Sequence, residues 1–428
     1  MTAGPAQPVP RLVALRHRDF RLLWVGQAVS VIGTQMQLAA VNWHIYNLLR
    51  GTTYTLDLFG HPLTLGADAL GLGTLGLVRI VPLFIFALIG GMLADTLDRR
   101  RLLLWTQGGL TVLATLLAGL TLTGRDSVVA IYAITALAGA IAAFDNPARQ
   151  ALIPNLVPRE HLTNAVTLNN IVMEVATIAG PSLAGLMLAV YNPGWVYALN
   201  AVSFVAVIAA LSLMHYRRGP EAGSAAGLGW APMIEGLRFV HGTRIIWGTM
   251  LLDFFATFFS SARTMLPIVA DQMLHAGPVG FGILSTAQSL GSLLAGMIVA
   301  WRHNLRRQGV VLLLSVTIYG LATALFGLST VFVLSYIIFA LTGAADTVST
   351  VIRQTLRQTL TPDRLRGRMT SVNMIFFMGG PQLGELEAGL VASALGVGFS
   401  IVSGGIATVL LTAYVAWKYP LLRKYEGG

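Results

Sequence analysis

Seven ionisable side chains stand inside long apolar runs. Arg79 and Glu174 lie in the first half of the chain, Asp253, Arg263, Asp346, Glu385 and Glu387 in the second, and Asp145 lies at the rim of another run. A charge at a bilayer centre costs about 2.5–3.5 kcal/mol on insertion scales, so each needs a partner or a task. Burial disfavours the charged form of a carboxylate, which suits it to take up and release a proton. Glu174, Asp253, Asp346 and Glu385 are therefore candidate proton carriers. Glu174 is the first-half candidate, one or two turns before Gly180-Pro181. Asp253 and Arg263 are roughly 15 Å apart along a helix and should not pair. Glu385 and Glu387 point to different faces of one helix, so at most one looks inward. Arg79 is too deep to reach the interface easily and should face a cavity or meet a carboxylate. The plain alternative for any one of them is a structural ion pair, which suits the whole set poorly.

Other chemistry lacks its residues. The sequence shows no metal-binding His pair, no nucleophile elbow and no phosphate loop. With eight His and no Cys, a transition-metal site is disfavoured and disulfides are excluded. No cofactor, no metal and no enzymatic activity are expected, and ATP drive is disfavoured.

The elements that position these groups are membrane spans. A composition 55% hydrophobic and 11% charged is too apolar for a soluble globule. About a dozen apolar runs follow one another, near 20–48, 70–94, 102–123, 128–148, 164–190, 194–215, 245–270, 279–300, 309–328, 331–352, 369–392 and 396–417. Each approaches the roughly 20 residues a helix needs to cross a bilayer. A net charge of +10 would suggest nucleic acid in a soluble protein. Here the basic residues flank spans, so the partner is the lipid bilayer and no nucleic acid is expected. Of the 28 Lys and Arg, all but Arg50, Arg79, Arg125 and Arg263 fall in alternate gaps. That bias predicts a multi-pass protein of the cell membrane, both termini cytoplasmic, with an even number of spans. The 46 glycines suit close helix packing.

The chain repeats itself. Arg149-Gln150, Pro158 and Asn169 recur with the same spacing as Arg353-Gln354, Pro362 and Asn373, and Gly180-Pro181 recurs as Gly380-Pro381. The expected fold is all-α: twelve transmembrane helices in two pseudo-symmetric six-helix bundles. Residues 1–216 form the first bundle, 217–244 a cytoplasmic linker and 245–428 the second. Within the linker Pro232 to Val240 reads as an amphipathic surface helix. Residues 51–67 alternate like a small β-hairpin. Repeats of this kind put a binding site between the halves near the midplane.

The loop after the second span reads GMLADTLDRRR, Gly91 to Arg101. It resembles the loop signature of the major facilitator superfamily, with Thr96 in place of a basic residue and Asp98 in place of Gly. FRLLWVGQAVSVIGTQM, AAFDNPARQALIPNLVP and TPDRLRGRM resemble the branch with the bacterial enterobactin exporter and macrolide efflux pumps. AGPSLAG, Ala179 to Gly185, is similar to the exporter signature of drug:proton antiporters, with Ala184 replacing a Gly. The repeated pair Gly180-Pro181 and Gly380-Pro381 is expected to kink two helices that pack tightly.

The resemblance implies a gate at the cytoplasmic end formed by Gly91, Asp95, Arg99, Arg100 and Asp145. Asp95 would cap the eleventh span around Arg368 to Thr370, and Arg99 and Arg100 would pair with Asp145. It also implies that spans 1, 4, 7 and 10 face the cavity. Gln27, Gln35, Trp43, Arg79, Phe258 and Arg263 are the expected wall, suited to a bulky amphipathic ligand. The two arginines would suit anionic groups such as those of a catecholate siderophore. The function expected is a monomeric secondary exporter that moves a small-molecule substrate, drug or siderophore-like, against protons. Lipid flipping, metal export by the same fold and a non-transporting sensor are the alternatives. Asp95→Asn is expected to impair turnover while leaving ligand affinity nearly intact; paired binding and transport assays check this, and unaltered turnover would remove Asp95 from the gate.

Overall fold

The computed structural model describes residues 12–58, 61–96, 98–215, 230–301 and 307–426. Its first half contains α1 (Arg18–Leu49), a hairpin of β1 (Thr53–Leu58) and β2 (His61–Gly66), α2 (Ala67–Thr96), α3 (Arg99–Leu122), α4 (Val128–Leu152), α5 (Leu162–Val190) and α6 (Pro193–Leu213). The helix α7 (Trp230–Gly242) follows, where the sequence suggests an amphipathic helix. The second half begins with α8 (Arg244–Phe259). A 3-10 turn (Ala262–Met265), α9 (Leu266–Ile268) and a π-helical turn (Val269–Met273) continue the same span. Then come α10 (Gly277–Leu284) and α11 (Ala287–Trp301), α12 (Gln308–Leu328), α13 (Phe332–Leu360), α14 (Arg366–Leu395), α15 (Val397–Lys418) and the short α16 (Pro420–Arg423).

Among the described residues ten runs are long and apolar enough to cross a membrane by length and composition. The more polar α1 and α14 complete a set of twelve long helical runs. A bilayer offers backbone groups no partners, so helices that satisfy their own are what such runs must form. Local signals set their ends. Asp98, the departure from the loop signature, caps α3 by accepting from the Arg100 and Arg101 N–H groups. Asn192 caps α6 with Pro193 at its first position.

The two halves pack alike. In the first, α1 lies against α5 and α6, α2 against α4, and α3 against α4 and α6. In the second, α8 lies against α14 and α15, α11 against α13, and α12 against α13 and α15. The hairpin pairs Thr53 with Gly66 through Leu58 with His61, and β2 rests on α14 of the opposite half.

The ends of the chain mark one face, the basic face. The Ala14 N–H donates to Asn164 and the Gly309 N–H to the Tyr425 carbonyl. The halves meet mainly toward the other, far face, along two seams: α2 on α14 and α5 on α10. Both seams are backbone against backbone. A Cβ at Gly73 would stand 2.7 Å from the Gly389 Cα, and one at Gly185 would stand 2.8 Å from the Gly282 Cα. Only glycine permits such approach, and it maximises dispersion contact in lipid. Trp43 of α1 stacks on Phe281 of α10 between the seams, centroids 5.5 Å apart.

Polar ties fasten the same end. Arg50 pairs with Asp271 at 2.8 Å, the Tyr46 hydroxyl donates to Asp271 at 2.6 Å, and the Gln272 amide donates to Asp68 at 3.2 Å. Gly185→Leu should therefore hold the far face apart. A cysteine at buried Ala184 should then react faster with an impermeant maleimide added from that side; labelling no faster than Ala184→Cys alone would contradict the seam.

Candidate functional site

The seventh span breaks in mid-course. Regular α-helix stops at Phe259, Ser260 leaves the helical region at φ −100 and ψ 36, and a 3-10 turn carries Ala262 to Met265. The break is built into its surroundings. Ser260 shares a 2.8 Å hydrogen bond with Thr408, and the Tyr319 hydroxyl donates to the Ser260 carbonyl at 3.4 Å. Gly404 of α15 lets the Phe259 carbonyl approach closely. Irregular backbone at membrane depth is tolerated only inside protein or beside a cavity, and such broken spans mark transport sites.

Arg263 sits on that 3-10 turn. It is exposed. Its electrostatic partners are Glu385 of α14 and Arg79 of α2. Glu385 in turn feels Arg79 and Arg263 and has the Thr264 hydroxyl beside it. Arg79 is oriented by Asn42 of α1, whose side-chain oxygen accepts from the guanidinium at 2.8 Å. Arg79 comes from one half and Arg263 and Glu385 from the other, so one acid lies within electrostatic reach of two guanidiniums where the halves meet. An aromatic wall adjoins it. Phe254 stacks near Phe258 and Phe255 near Phe259, each pair 6.1 Å between centroids, and Phe376 meets Phe254 edge-on at 5.9 Å.

The other expected carriers are placed differently. Glu174 is exposed, which corrects the expectation that it is buried. The buried stripe of α5 is Val172, Ala176 and Gly180, and Glu174 points away from it. Asp253 is held by Arg353 at 3.0 Å and Arg357 at 3.1 Å, all three buried. Asp346, partly exposed, is 3.5 Å from Arg353. Arg357 also bonds Asn373. These charge-assisted bonds tie α8 to α13 within the second half.

The expected gate also differs. Arg99 donates to the Ala151 carbonyl at 3.0 Å, and Arg100 to the carbonyls of Leu211 at 2.6 Å and Ser212 at 2.9 Å. Neither pairs with Asp145, a correction to that expectation. The two arginines meet the electron-rich carbonyl ends of α4 and α6. Asp145 is already satisfied by Thr106, Gln107 and Arg149, each at 2.7 Å. Gly91 and Asp95 lie on the last turns of α2, and their side chains are outside those described. Arg368 bonds Glu235 of α7, which also pairs with Arg364 at 3.1 Å.

Of the expected wall, Arg79, Phe258 and Arg263 come together at the junction. Gln35 packs on Gly180 of α5. Gln27 is buried at 3% exposure and Trp43 is buried between the seams, so neither lines open space. Gly180 and Gly380 play matching parts, the first against α1 and the second against Phe254 and Thr257 of α8. The contacts of Asn42, Arg50, Asp271 and Arg353 are ones the sequence does not assign. Among the described residues no group of three or more His, Asp or Glu could hold a metal.

Comparison with known proteins agrees with this architecture. The model of the family described as transmembrane secretion effectors matches residues 69–426. The enterobactin exporters of Shigella boydii serotype 4 and Escherichia coli O81 are each 28% identical over 404 residues, 92% of this chain and 92% of theirs. A bacterial homologue of the iron transporter ferroportin in an inward-facing state superposes with a TM-score of 0.68 at 17% identity, covering 95% of this chain and 99% of its own. The nucleoside transporter NupG gives 0.69 at 12% identity, covering 94% and 100%. At such identities the solved structures speak for the fold alone.

Removing Asp253 leaves Arg357 buried without its anion and Arg353 with only Asp346 at 3.5 Å, a change that costs about 3–5 kcal/mol. Asp253→Ala is expected to lower the thermal unfolding midpoint in detergent clearly, whereas Glu174→Ala should leave it within error; equal midpoints for all three proteins would contradict the tie.

Proposed function

The chain belongs to the transmembrane secretion effector family of major facilitator transporters, and from that premise we propose proton-coupled export of a bulky amphipathic molecule with Glu385 as the coupling acid. The chain is a transporter with the major facilitator fold rather than an enzyme. The basic face is assigned to the cytoplasm on the charge bias of the loops, so the far face, where the two seams lie, is read as the closed outer side. One observation carries the reading: the Glu385 side chain lies against Gly76 of α2 where the halves meet, within electrostatic reach of Arg79 and of Arg263 on the broken seventh span.

The cycle follows from which states that cluster tolerates. With the outside closed and no substrate bound, ionised Glu385 is compensated by guanidiniums from both halves and holds α2 to α14. A substrate entering from the cytoplasm rests its apolar body on Phe254, Phe258 and Phe376 and offers an anionic group to Arg79 and Arg263. That group takes over the arginines, and the tie across the junction weakens. The halves then rock and expose the site outside. There Glu385 takes a proton and the substrate leaves. A neutral carboxyl re-enters the α2–α14 seam without the cost of burying a charge, and the proton is released inside. Coupling arises because each protonation state favours a different conformation.

The anionic, aromatic chemistry of a catecholate siderophore suits the arginines and phenylalanines here, and the likeness to enterobactin exporters supports that choice. Arg50, Asp271 and Tyr46 serve as the outer tie that parts when the site opens.

The test is enterobactin-dependent proton flux in proteoliposomes, read with a pH-sensitive dye. Glu385→Gln is expected to abolish the flux, while Glu174→Gln, on the exposed face of α5, should retain it. Arg263→Ala should weaken apparent enterobactin affinity about tenfold, the scale of one charge-assisted hydrogen bond. Undiminished flux in Glu385→Gln would remove this residue as the carrier.

A further inference from the structure

Three polar atoms near the junction are buried without a hydrogen-bond partner: Arg79 Nε, Gln382 Oε1 and Glu385 Oε2. The register of the α2–α14 seam sets these residues at one level. The two helices run antiparallel, Gly73 facing Gly389 and Gly76 facing the Gln382 main-chain carbonyl and the Glu385 side chain. Arg79 lies about one turn beyond Gly76, level with Gln382. Gln382 and Glu385, three apart on α14, share a face. Gly76 sets the space: a Cβ there would stand 2.9 Å from Glu385 Oε2 and 2.8 Å from the Glu385 Cβ.

The trio is one donor and two acceptors. Buried polar groups in native proteins are almost always satisfied. One water matches the pattern: it accepts from Arg79 Nε–H and donates one hydrogen each to Gln382 Oε1 and Glu385 Oε2. Three such bonds are the usual complement of a buried water. A substrate carboxylate in that place would meet Glu385 Oε2 acceptor to acceptor. A metal cation would be repelled by Arg79 and Arg263.

We infer that the seam holds a bound water between Arg79, Gln382 and Glu385, and that this water is the immediate proton donor and acceptor of Glu385. The inference rests on the reading of Glu385 as the coupling acid. In the uptake step one O–H bond of the bound water breaks as an O–H bond to Glu385 Oε2 forms. A hydronium ion arriving from outside replaces the lost proton and is left as water, so atoms and charge balance. The reverse step discharges the proton to the inside. The charged groups facing the carboxylate are Arg79 from α2 and Arg263 from the 3-10 turn, with the Thr264 hydroxyl beside it. Glu387, two residues along α14, points elsewhere. Gln382 is thus a positioning residue: it orients the water and itself gains and loses no proton.

The test is infrared difference spectroscopy of the full chain in proteoliposomes on a pH jump, together with proton-driven enterobactin export. The band of protonated Glu385 is the carbonyl band lost in Glu385→Gln. In Gln382→Leu that band is expected to move to higher wavenumber, because its hydrogen-bonded water is no longer held, and export should slow about tenfold. Gly76→Ala, which crowds the same space without altering any polar group, should move the band in the same direction. A Glu385 band unmoved in both variants would overturn the water site and leave the coupling reading standing. Absence of any band lost in Glu385→Gln would overturn both.

Discussion

A charge inside a bilayer must be compensated by something inside the bilayer. In this chain the compensation at the centre crosses from one half to the other. Glu385 alone would be costly on α14, and Arg79 alone would be costly on α2. Brought together with Arg263, they can stand at membrane depth. The rest of the architecture serves that meeting. The seventh span gives up its helix at Ser260 and presents Arg263 on a 3-10 turn. The glycines of α2 and α14 let the backbones come close enough for the groups to meet. Asn42 fixes the direction of Arg79.

The two halves share a packing plan yet divide the labour. Both use a glycine before proline to seat a helix against its own half, Gly180 on α1 and Gly380 on α8. Both use a later glycine, Gly185 and Gly389, to meet the other half. The α5–α10 seam carries small and apolar groups. The α2–α14 seam carries the charges. In the proposed cycle a rocking motion pivots on one seam while the other responds to protonation and ligand. The second half also holds a buried network, Asp253 with Arg353 and Arg357, where the first half has the local pair Asp145 and Arg149. Arg149 and Arg353 are repeat equivalents, but residue 349 is a serine, and the nearer anion of Arg353, Asp253, comes from another helix.

Much of the fold is legible in the chain because the bilayer admits so few answers. Apolar length gives the spans: the ninth is expected at 309–328 and runs Gln308–Leu328. The alternation in Thr53 to Leu58 gives the hairpin. The site is only partly legible. Arg79, Arg263 and Glu385 are conspicuous because charge is rare in apolar runs, but sequence does not say which meets which. The break at Ser260 hides in an apolar run, since its cause is the neighbouring Gly404 and Thr408. Two signals were nevertheless present. Arg149 stands four residues after Asp145, the spacing of a helical ion pair. Arg50 violates the charge bias of its gap, and it is Arg50 that ties the far face through Asp271.

The central claim is that Glu385 holds the halves together at the far face until a ligand takes its arginines. The chain has no cysteine, so spin labels can be placed at will. Leu122 and Leu328, exposed at the far ends of α3 and α12 in opposite halves, suit a pulsed electron-resonance distance measurement in lipid nanodiscs. Without substrate at neutral pH, the otherwise unchanged protein should show a single short distance, and Glu385→Ala, which leaves Arg79 and Arg263 facing each other across the junction, should add a longer one. Identical distance distributions in the two proteins would contradict the claim.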